Sequence, residues 1–405
     1  MDFPKNTQYL FIDMNSFFAS CEQQANPLYR NKPIAVTPVN CDNGCIVSAS
    51  YDAKAMGIKT GTLIKEAKRL CPNIIIRESS TYMYLDYHRK IVKILESFSP
   101  FLSVRSVDEA VIKLSPSEQS STYAVELGKK IKAKIQQNVG EYLKSSVGIG
   151  PNVFLAKQGT EFRKPDGLFE IKLEDLEWYY NQIKLTDIKG IASAMERQLH
   201  YRDIFSPSDF FHSSQQDLMD KLGAMGNYWY LKLHGYDLDE RILNIPKTVG
   251  HSHVLESKYR NWNSAWAVCQ KLAEKAVYRL RSYELKATGV YLGVRYYNGG
   301  FKKRLKTSPF SDSRTLTRIV YRLWKKIDKD NTPFKINITL YDLSRPPARQ
   351  LKLFTSMNKD ENISIAMDLI NDKYGAFTLK PASILSAENS APDRIAFGRS
   401  LDQIH

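Results

Sequence analysis

The stretch SVRSVDEAVIKL, Ser103 to Leu114, sets two carboxylates, Asp108 and Glu109, side by side in an apolar, β-branched run. Successive side chains of a strand point to opposite faces. One unbroken strand would therefore turn one of the pair into a core, where an unpaired charge costs several kcal/mol. A hairpin removes the conflict. FLSVR and AVIKL become its strands, the turn falls near Ser106–Asp108, and both carboxylates point off the sheet edge. A second apolar strand, YLFIDM from Tyr9, also ends on an acid, Asp13. Three carboxylates at adjacent strand ends could hold two Mg²⁺ roughly 3.5–4 Å apart, which clamps the attacking and leaving oxygens in phosphoryl transfer. Magnesium takes few protein carboxylates and fills its shell with water and phosphate. Taken alone, VDEAV reads first as strand-edge charges paired with Arg105 or Lys113.

Around this stretch, short apolar strands alternate with amphipathic helices as far as about residue 170, the pattern of a layered sheet-and-helix domain. TYAVELGKKIKAKIQQNVG is predicted as a helix with Val125, Leu127, Ile131 and Ile135 as its buried stripe. From about Glu174 to Asp239 the chain reads as helices with short turns. From Pro246 the order is β-α-β-β-α-β, with strands at HSHVL, TGVYLGVRYY, FKKRLKTSP and KINITLYDL. The helices between them are predicted at 263–282 and 314–327. The last fifty residues, after QLKLF, are irregular. A chain of 405 residues suffices for two to four such units.

Charge separates these regions. The net charge is +15, and residues 246–355 alone hold 23 Lys and Arg against 7 Asp and Glu. Such a surface attracts polyanions, nucleic acid first and anionic membrane second. No apolar run approaches the roughly 20 residues of a membrane span. The amino end has no basic segment followed by an apolar one, so a secretory signal is not expected. The five cysteines form no CxxC pair; Cys41 and Cys45 lack a second pair that would complete a zinc site, and reduced thiols in a cytosol are expected.

A cationic set accompanies the acids. Tyr51 and Lys54 lie one helical turn apart in YDAKAMG, and EFRKPDG supplies Arg163 and Lys164. Hydroxyl and ammonium donors suit a triphosphate, although each cation by itself reads as a solvated surface residue.

Four blocks, FIDMNSFFASCEQ, SASYDAKAMGIKTG, SVDEAVIKL and SVGIGPNVFLAKQGTEFRKPDGL, occur in this order. Together they resemble the Y-family, or translesion, DNA polymerases over at least residues 8–356. Within that family the chain looks closest to the UmuC-like (ImpB/MucB/SamB) repair proteins, and among them to UvrX-type members of Gram-positive bacteria. The resemblance implies an α+β multidomain right hand. Its parts would be a ferredoxin-like palm (1–15 and 79–172), small fingers (16–78) and a helical thumb (173–240) carrying a helix-hairpin-helix-like element. A linker (241–249), a β-α-β-β-α-β little finger (250–349), and a clamp-binding peptide with a C-terminal tail (350–405) would follow.

The implied activity is error-prone, template-directed dNTP addition past damaged bases by two-Mg²⁺ nucleotidyl transfer, in the cytoplasm and with no membrane partner. Asp13, Asp108 and Glu109, with the Met14 carbonyl, would hold the metals. Phe18, beside Phe17, would exclude a ribose 2′-hydroxyl; Tyr51, Lys54 and Lys164 would contact the triphosphate. Ser48, Ala49 and Ser50 fit the family's open pocket over the nascent base pair. Gly190 and Ile191 in LTDIKGIASAMERQL would present turn amides to a DNA phosphate. Lys302, Lys303, Arg304 and Lys306 would meet primer-template phosphates. Gln350, Leu351, Leu353 and Phe354 of QLKLF resemble the pentapeptide that docks on the β subunit of the bacterial sliding clamp. Some UmuC-like proteins also use an accessory factor of the SOS response.

The chain departs from the family pattern at several positions. Lys54 replaces the usual arginine, Asn15 stands where many relatives have a second acid, and GTLI replaces Gly-Met-Pro. The thumb turn reads Gly190-Ile191-Ala192 where Gly-hydrophobe-Gly is familiar, and alanine tolerates a left-handed backbone less well than glycine. Two other classes remain open at this point. A nucleotide cyclase would use the carboxylates without the basic domain, and a non-catalytic DNA- and clamp-binding repair factor would do the reverse.

Overall fold

The computed structural model describes residues 4–40, 42, 44–238, 246–345 and 356–392. It divides into two units that meet in sequence at Glu240/Arg241.

In the first unit the strands are β1 (Tyr9–Met14), β2 (Ile34–Thr37), β3 (Ser48–Ala49), β4 (Ile75–Glu78), β5 (Leu102–Val104), β6 (Glu109–Lys113), β7 (Ser145–Gly150) and β8 (Leu168–Glu170). They form a five-stranded sheet ordered β5-β6-β1-β7-β8 and a three-stranded sheet ordered β3-β2-β4. The expected hairpin is present: β5 and β6 pair antiparallel from Leu102↔Ile112 to Val104↔Ala110. Its turn is closed by the Arg105 and Ser106 amides, which both donate to the Glu109 carbonyl, at 2.8 and 3.1 Å.

The alternation of β1 sorts its side chains between two layers. Leu10, Ile12 and Met14 enter the main core with residues of the helices Thr81–Glu96 and Ser121–Asn138. Tyr9 and Phe11 pack on the other face with Val111 and Ala156 of the helix Val153–Phe162, and Asp13 shares their face by parity. That helix lies unusually close to the sheet. A Cβ on Gly148 would fall 1.9 Å from the Ala156 carbonyl oxygen, and one on Gly159 would fall 2.9 Å from that of Phe169. Glycine at both positions lets the helix press its side chains onto the carboxylate end of β1.

The stripe of helix Ser121–Asn138 differs by one position from expectation. Ala124, Leu127, Gly128, Ile131 and Ile135 are buried, whereas Val125 is only partly so. Gly128 faces inward because the Leu168 side chain crosses the helix there, 2.8 Å from where a Cβ would stand. The region from 176 to 233 is a cluster of five short helices closed over Tyr179, Tyr180, Phe210 and Trp229.

The second unit has the expected β-α-β-β-α-β order: β9 (Thr248–Val254), helix Trp262–Ser282, β10 (Lys286–Arg295), β11 (Gly300–Phe310), helix Ser313–Trp324 and β12 (Lys335–Ser344). The sheet is antiparallel, ordered β11-β10-β12-β9, with both helices on one face. Among the described residues the tail after residue 355 is largely regular. Residues 356–374 form a helix and 382–387 a 3₁₀ segment, and both belong to this unit. The helix was not legible because its apolar residues are scattered around it rather than gathered on one face, which leaves no hydrophobic period to read.

Candidate active site

Cross-strand register sets the acidic centre. Asp13 on β1 lies opposite Glu109 on β6, and the Met14 amide donates to the Asp108 carbonyl at 2.9 Å, tying the hairpin turn to the end of β1. Asp13 is buried. Burial, followed by the charges of Asp13 and Glu109, pushes Asp108 up to about 6, against the stabilising hydroxyl of Ser106. Three carboxylates with hard oxygen donors and this excess of negative charge suit a divalent cation. Among the described residues, however, no three acidic, histidine or cysteine side chains already converge on one metal-sized position.

Lysines bridge the acids. The Lys157 ammonium, on helix Val153–Phe162, contacts Asp13 and lies 2.9 Å from Glu109 and 3.1 Å from Glu161. Lys164 lies 2.9 Å from Asp13 and 3.0 Å from Glu161, and Lys189 is 3.1 Å from Glu161. Burial alone would raise Glu161, but these three ammonium groups outweigh it and hold the carboxyl at about 2. Burial would likewise lower Lys157, and its three carboxylate partners reverse that, so its proton is held above the usual lysine range. Lys157, Glu161 and Lys189 were not singled out in the sequence. The available signal was the i, i+4 spacing of Lys157 and Glu161, with Lys164 one turn beyond.

The cationic set approaches from the smaller sheet. The Ser50 hydroxyl accepts from the Ala53 amide and so caps the short helix Tyr51–Ala55. Lys54 donates to the Ser16 hydroxyl at 2.7 Å and stands 4.4 Å above the Tyr51 ring. Burial, followed by repulsion from Lys164, lowers Lys54; burial, followed by the charges of Asp13 and Glu161, raises Tyr51 to about 12. Tyr51 therefore keeps its proton as a donor at neutral pH.

Asn15 has a structural partner set. Its amide nitrogen donates to the Ser146 hydroxyl at 2.9 Å, and its oxygen accepts from the Asp166 amide at 2.7 Å. The end of β1 is thus tied to the turn that follows Lys164.

The two phenylalanines divide. The Phe17 side chain, 3% exposed, packs within the main core. Phe18 is half-buried and stacks on Tyr84, with ring centroids 4.5 Å apart and planes 14° from parallel. The Tyr84 hydroxyl donates to Glu22 at 2.8 Å, fixing the platform beneath Phe18.

The 185–199 turn also differs from expectation. Gly190 takes a left-handed φ of 103°, but Ala192 has φ −104°, so alanine meets no backbone conflict there. Ile191 is buried in the helical cluster and its amide donates to the Ile188 carbonyl at 2.9 Å. That amide is therefore committed internally, which corrects the expectation that Ile191 offers it to a phosphate.

In the second unit, Lys302, Arg304 and Lys306 on β11 lie opposite Gly293, Tyr291 and Gly289 of β10. Lys303 lies opposite Leu292, on the alternate parity. The open sheet face is floored by tyrosines that were not singled out. The Tyr341 ring covers Gly289, where a Cβ would meet it at 2.2 Å, and Tyr291 lies over Gly293. Arg304 sits 5.8 Å from the Tyr341 ring, and Lys306 pairs with Asp342 at 3.2 Å. Gln350, Leu351, Leu353 and Phe354 lie outside the described residues. No helix among the described residues is long and apolar enough to cross a membrane.

Comparison with known proteins adds the following. Residues 12–161 match the model of the impB/mucB/samB family, and residues 246–353 match that family's C-terminal domain. The DNA polymerase IV of Pelotomaculum thermopropionicum is 29% identical over 396 residues, covering 93% of this chain and 96% of that protein. DNA polymerase IV 1 of Bacillus subtilis is 29% identical over 414 residues, covering 99% of each. Among solved structures, a Y-family DNA polymerase chimera of Dbh and Dpo4 superposes with a TM-score of 0.72 at 23% identity, covering 84% of this chain and 99% of that one. An insertion ternary complex of Dbh DNA polymerase gives a TM-score of 0.58, also at 23% identity.

Proposed function

The chain belongs to the impB/mucB/samB family of Y-family DNA polymerases, and we propose that it extends a DNA primer on a template past damaged bases by metal-assisted nucleotidyl transfer. The observation that carries this reading is the in-register pair Asp13–Glu109 with Asp108 in the adjoining turn, beside a cluster of lysines.

Asp13, Asp108 and Glu109, with the Met14 carbonyl, would hold two Mg²⁺. When bound, these would acidify the primer 3′-hydroxyl and neutralise charge on the leaving pyrophosphate. The protein's own part is mainly positioning and charge compensation. Lys54, Lys164 and the Tyr51 hydroxyl line one side of the acidic centre as donors for a triphosphate, with lysine acting as a point charge rather than a bidentate fork. Asn15 holds the turn after Lys164 in place through the Asp166 amide. Phe18, braced by Tyr84, supplies a rigid wall against a ribose 2′-hydroxyl.

In this reading residues 1–15 and 79–172 are the palm, 16–78 the fingers, 173–240 the thumb and 250–349 the little finger. The open sheet face of the little finger would track primer-template phosphates without reading sequence. Residues 350–354 would dock on a sliding clamp, and the protein would act in the cytoplasm.

Primer extension by the purified protein with Mg²⁺ and dNTPs, on undamaged and abasic templates, tests the reading. Asp108→Ala with Glu109→Ala is expected to abolish extension while DNA affinity stays within a few-fold. Failure of the wild type to extend either template, with DNA binding intact, would favour a non-catalytic DNA- and clamp-binding factor.

A further inference from the structure

The helix Ser121–Asn138 carries four lysines, of which Lys129, Lys130 and Lys134 are exposed. Lys132 is turned toward the body of the first unit, and its side chain is only 15% exposed. Its ammonium donates to the Asp166 carbonyl and, at 3.1 Å, to the Gly167 carbonyl, and it lies 2.9 Å from the Asp166 carboxylate. Three acceptors match the three protons of an ammonium. All three belong to the two residues that follow Lys164 and Pro165. Lys144, exposed and 4.0 Å from the other Asp166 oxygen, adds only a screened charge to this grip.

The gripped turn is one that needs holding. Asp166 has a left-handed φ of 57°, which a residue with a Cβ adopts at some cost. Gly167 presses on the end of the preceding helix, where a Cβ would fall 2.0 Å from the Arg163 carbonyl oxygen. The Asp166 amide is tied to Asn15 at 2.7 Å, and Lys132 takes the carbonyl and carboxylate of the same residue. Lys164 enters the acidic centre from this turn, with its ammonium 2.9 Å from Asp13 and 3.0 Å from Glu161. Those contacts fix the tip of a flexible four-carbon stem. The turn fixes where the stem begins.

We propose that Lys132 is a positioning residue for the nucleotide site, gripping the turn at Asp166 and Gly167 so that Lys164 reaches the triphosphate of the incoming nucleotide. The inference rests on the reading of Lys164 as a triphosphate contact. Lys132 pairs with none of Asp13, Asp108 and Glu109, so its effect passes through the backbone that carries Lys164. A displaced point charge weakens the hold on the nucleotide in ground state and transition state alike, which raises KM and spares kcat.

The test is steady-state primer extension by the full-length protein on an undamaged template, with the dNTP concentration varied. Lys132→Met keeps the unbranched stem and removes the charge. It is expected to raise the KM for dNTP about five-fold or more, with kcat within about two-fold of wild type. Asp166→Asn keeps a side chain that tolerates the left-handed backbone and removes only the ion pair, so it should raise KM by a smaller factor. Lys164→Ala should raise KM by itself, and adding Lys132→Met to it should raise KM no further. Circular dichroism sets a temperature at which the variants are folded; should Lys132→Met not fold, Asp166→Asn, alone and combined with Lys164→Ala, carries the same test. A raised KM in Lys164→Ala beside unchanged KM in Lys132→Met and Asp166→Asn would overturn the inference and leave the role of Lys164 standing. A loss confined to kcat, or effects of Lys132→Met and Lys164→Ala that multiply, would overturn it too, by making Lys132 a general support of the fold. An unchanged KM in Lys164→Ala would overturn the reading of Lys164 and this inference with it.

Discussion

Asp13 and Glu109 face each other across the β1–β6 ladder, and a single ammonium, that of Lys157, bonds to both carboxylates. Neighbouring strands lie only about 4.8 Å apart, so two like charges in direct register repel unless a cation stands between them. The helix Val153–Phe162 supplies that cation from the layer above, which makes Lys157 part of the same electrostatic unit as the acids.

Replacing Lys157 with methionine should show this. The side chain is 12% exposed, and breaking a buried ion pair costs about 3–5 kcal/mol. Urea unfolding of Lys157→Met without divalent ions is expected to show a loss of about 3 kcal/mol. Added Mg²⁺ should narrow the gap to wild type, because a bound cation relieves the same repulsion. A gap insensitive to Mg²⁺ would mean that the ions do not share these carboxylates.

Glu161 carries a pH dependence of definite sign. Its carboxyl is held at about 2 in the folded chain against an ordinary 4.5. The stabilisation is therefore fully present above pH 4.5 and is lost as pH falls through about 2. The shift corresponds to roughly 3 kcal/mol at neutral pH. Glu161→Gln should be less stable than wild type by about 2–3 kcal/mol at pH 7, and the two stability curves should converge as pH drops from 4.5 toward 2. Parallel curves over that range would place the stabilisation elsewhere.

Phe18→Ala should admit ribonucleotides. The ring is held flat on Tyr84 and has little room to yield to a 2′-hydroxyl. The ratio of kcat/KM for dNTP over rNTP is expected to fall by about ten-fold or more, since a lost steric clash of this kind is worth at least about 1.4 kcal/mol. Unchanged selectivity would remove Phe18 as the gate.

Lys302→Ala with Arg304→Ala tests the open sheet face. If each side chain neutralises one phosphate, the slope of log K against log salt should become less negative by about 2. Affinities for unrelated DNA sequences should fall together. A sequence-dependent loss would point instead to base contacts.

Much of the site was legible because local chemistry forced it. Adjacent Asp108 and Glu109 in a β-branched run are incompatible with one continuous strand, and the hairpin resolves that conflict. The order β-α-β-β-α-β was legible from period-two and period-3.6 patterns alone. Other features were not. Neighbouring Phe17 and Phe18 have the same chemistry, and only the packing of the helix they open decides that Phe17 enters the core. The helix Ser356–Tyr374 spreads its apolar residues around its circumference and packs mainly through ion pairs, so no hydrophobic period marks it in the sequence.

Taken by itself, the amino-acid sequence determined the alternation of strands and helices, the concentration of positive charge after residue 246, and the motif blocks through which the family is recognised. These depend on residues close together in the chain, where steric and charge rules act directly. The tertiary structure alone decided that Lys157 joins Asp13 to Glu109, that Asn15 holds the turn after Lys164, and that two tyrosines pave the basic sheet over glycines. Each joins residues on different elements. Strand register and the depth of helix–sheet contact set such distances, and neither is written in any local stretch of sequence.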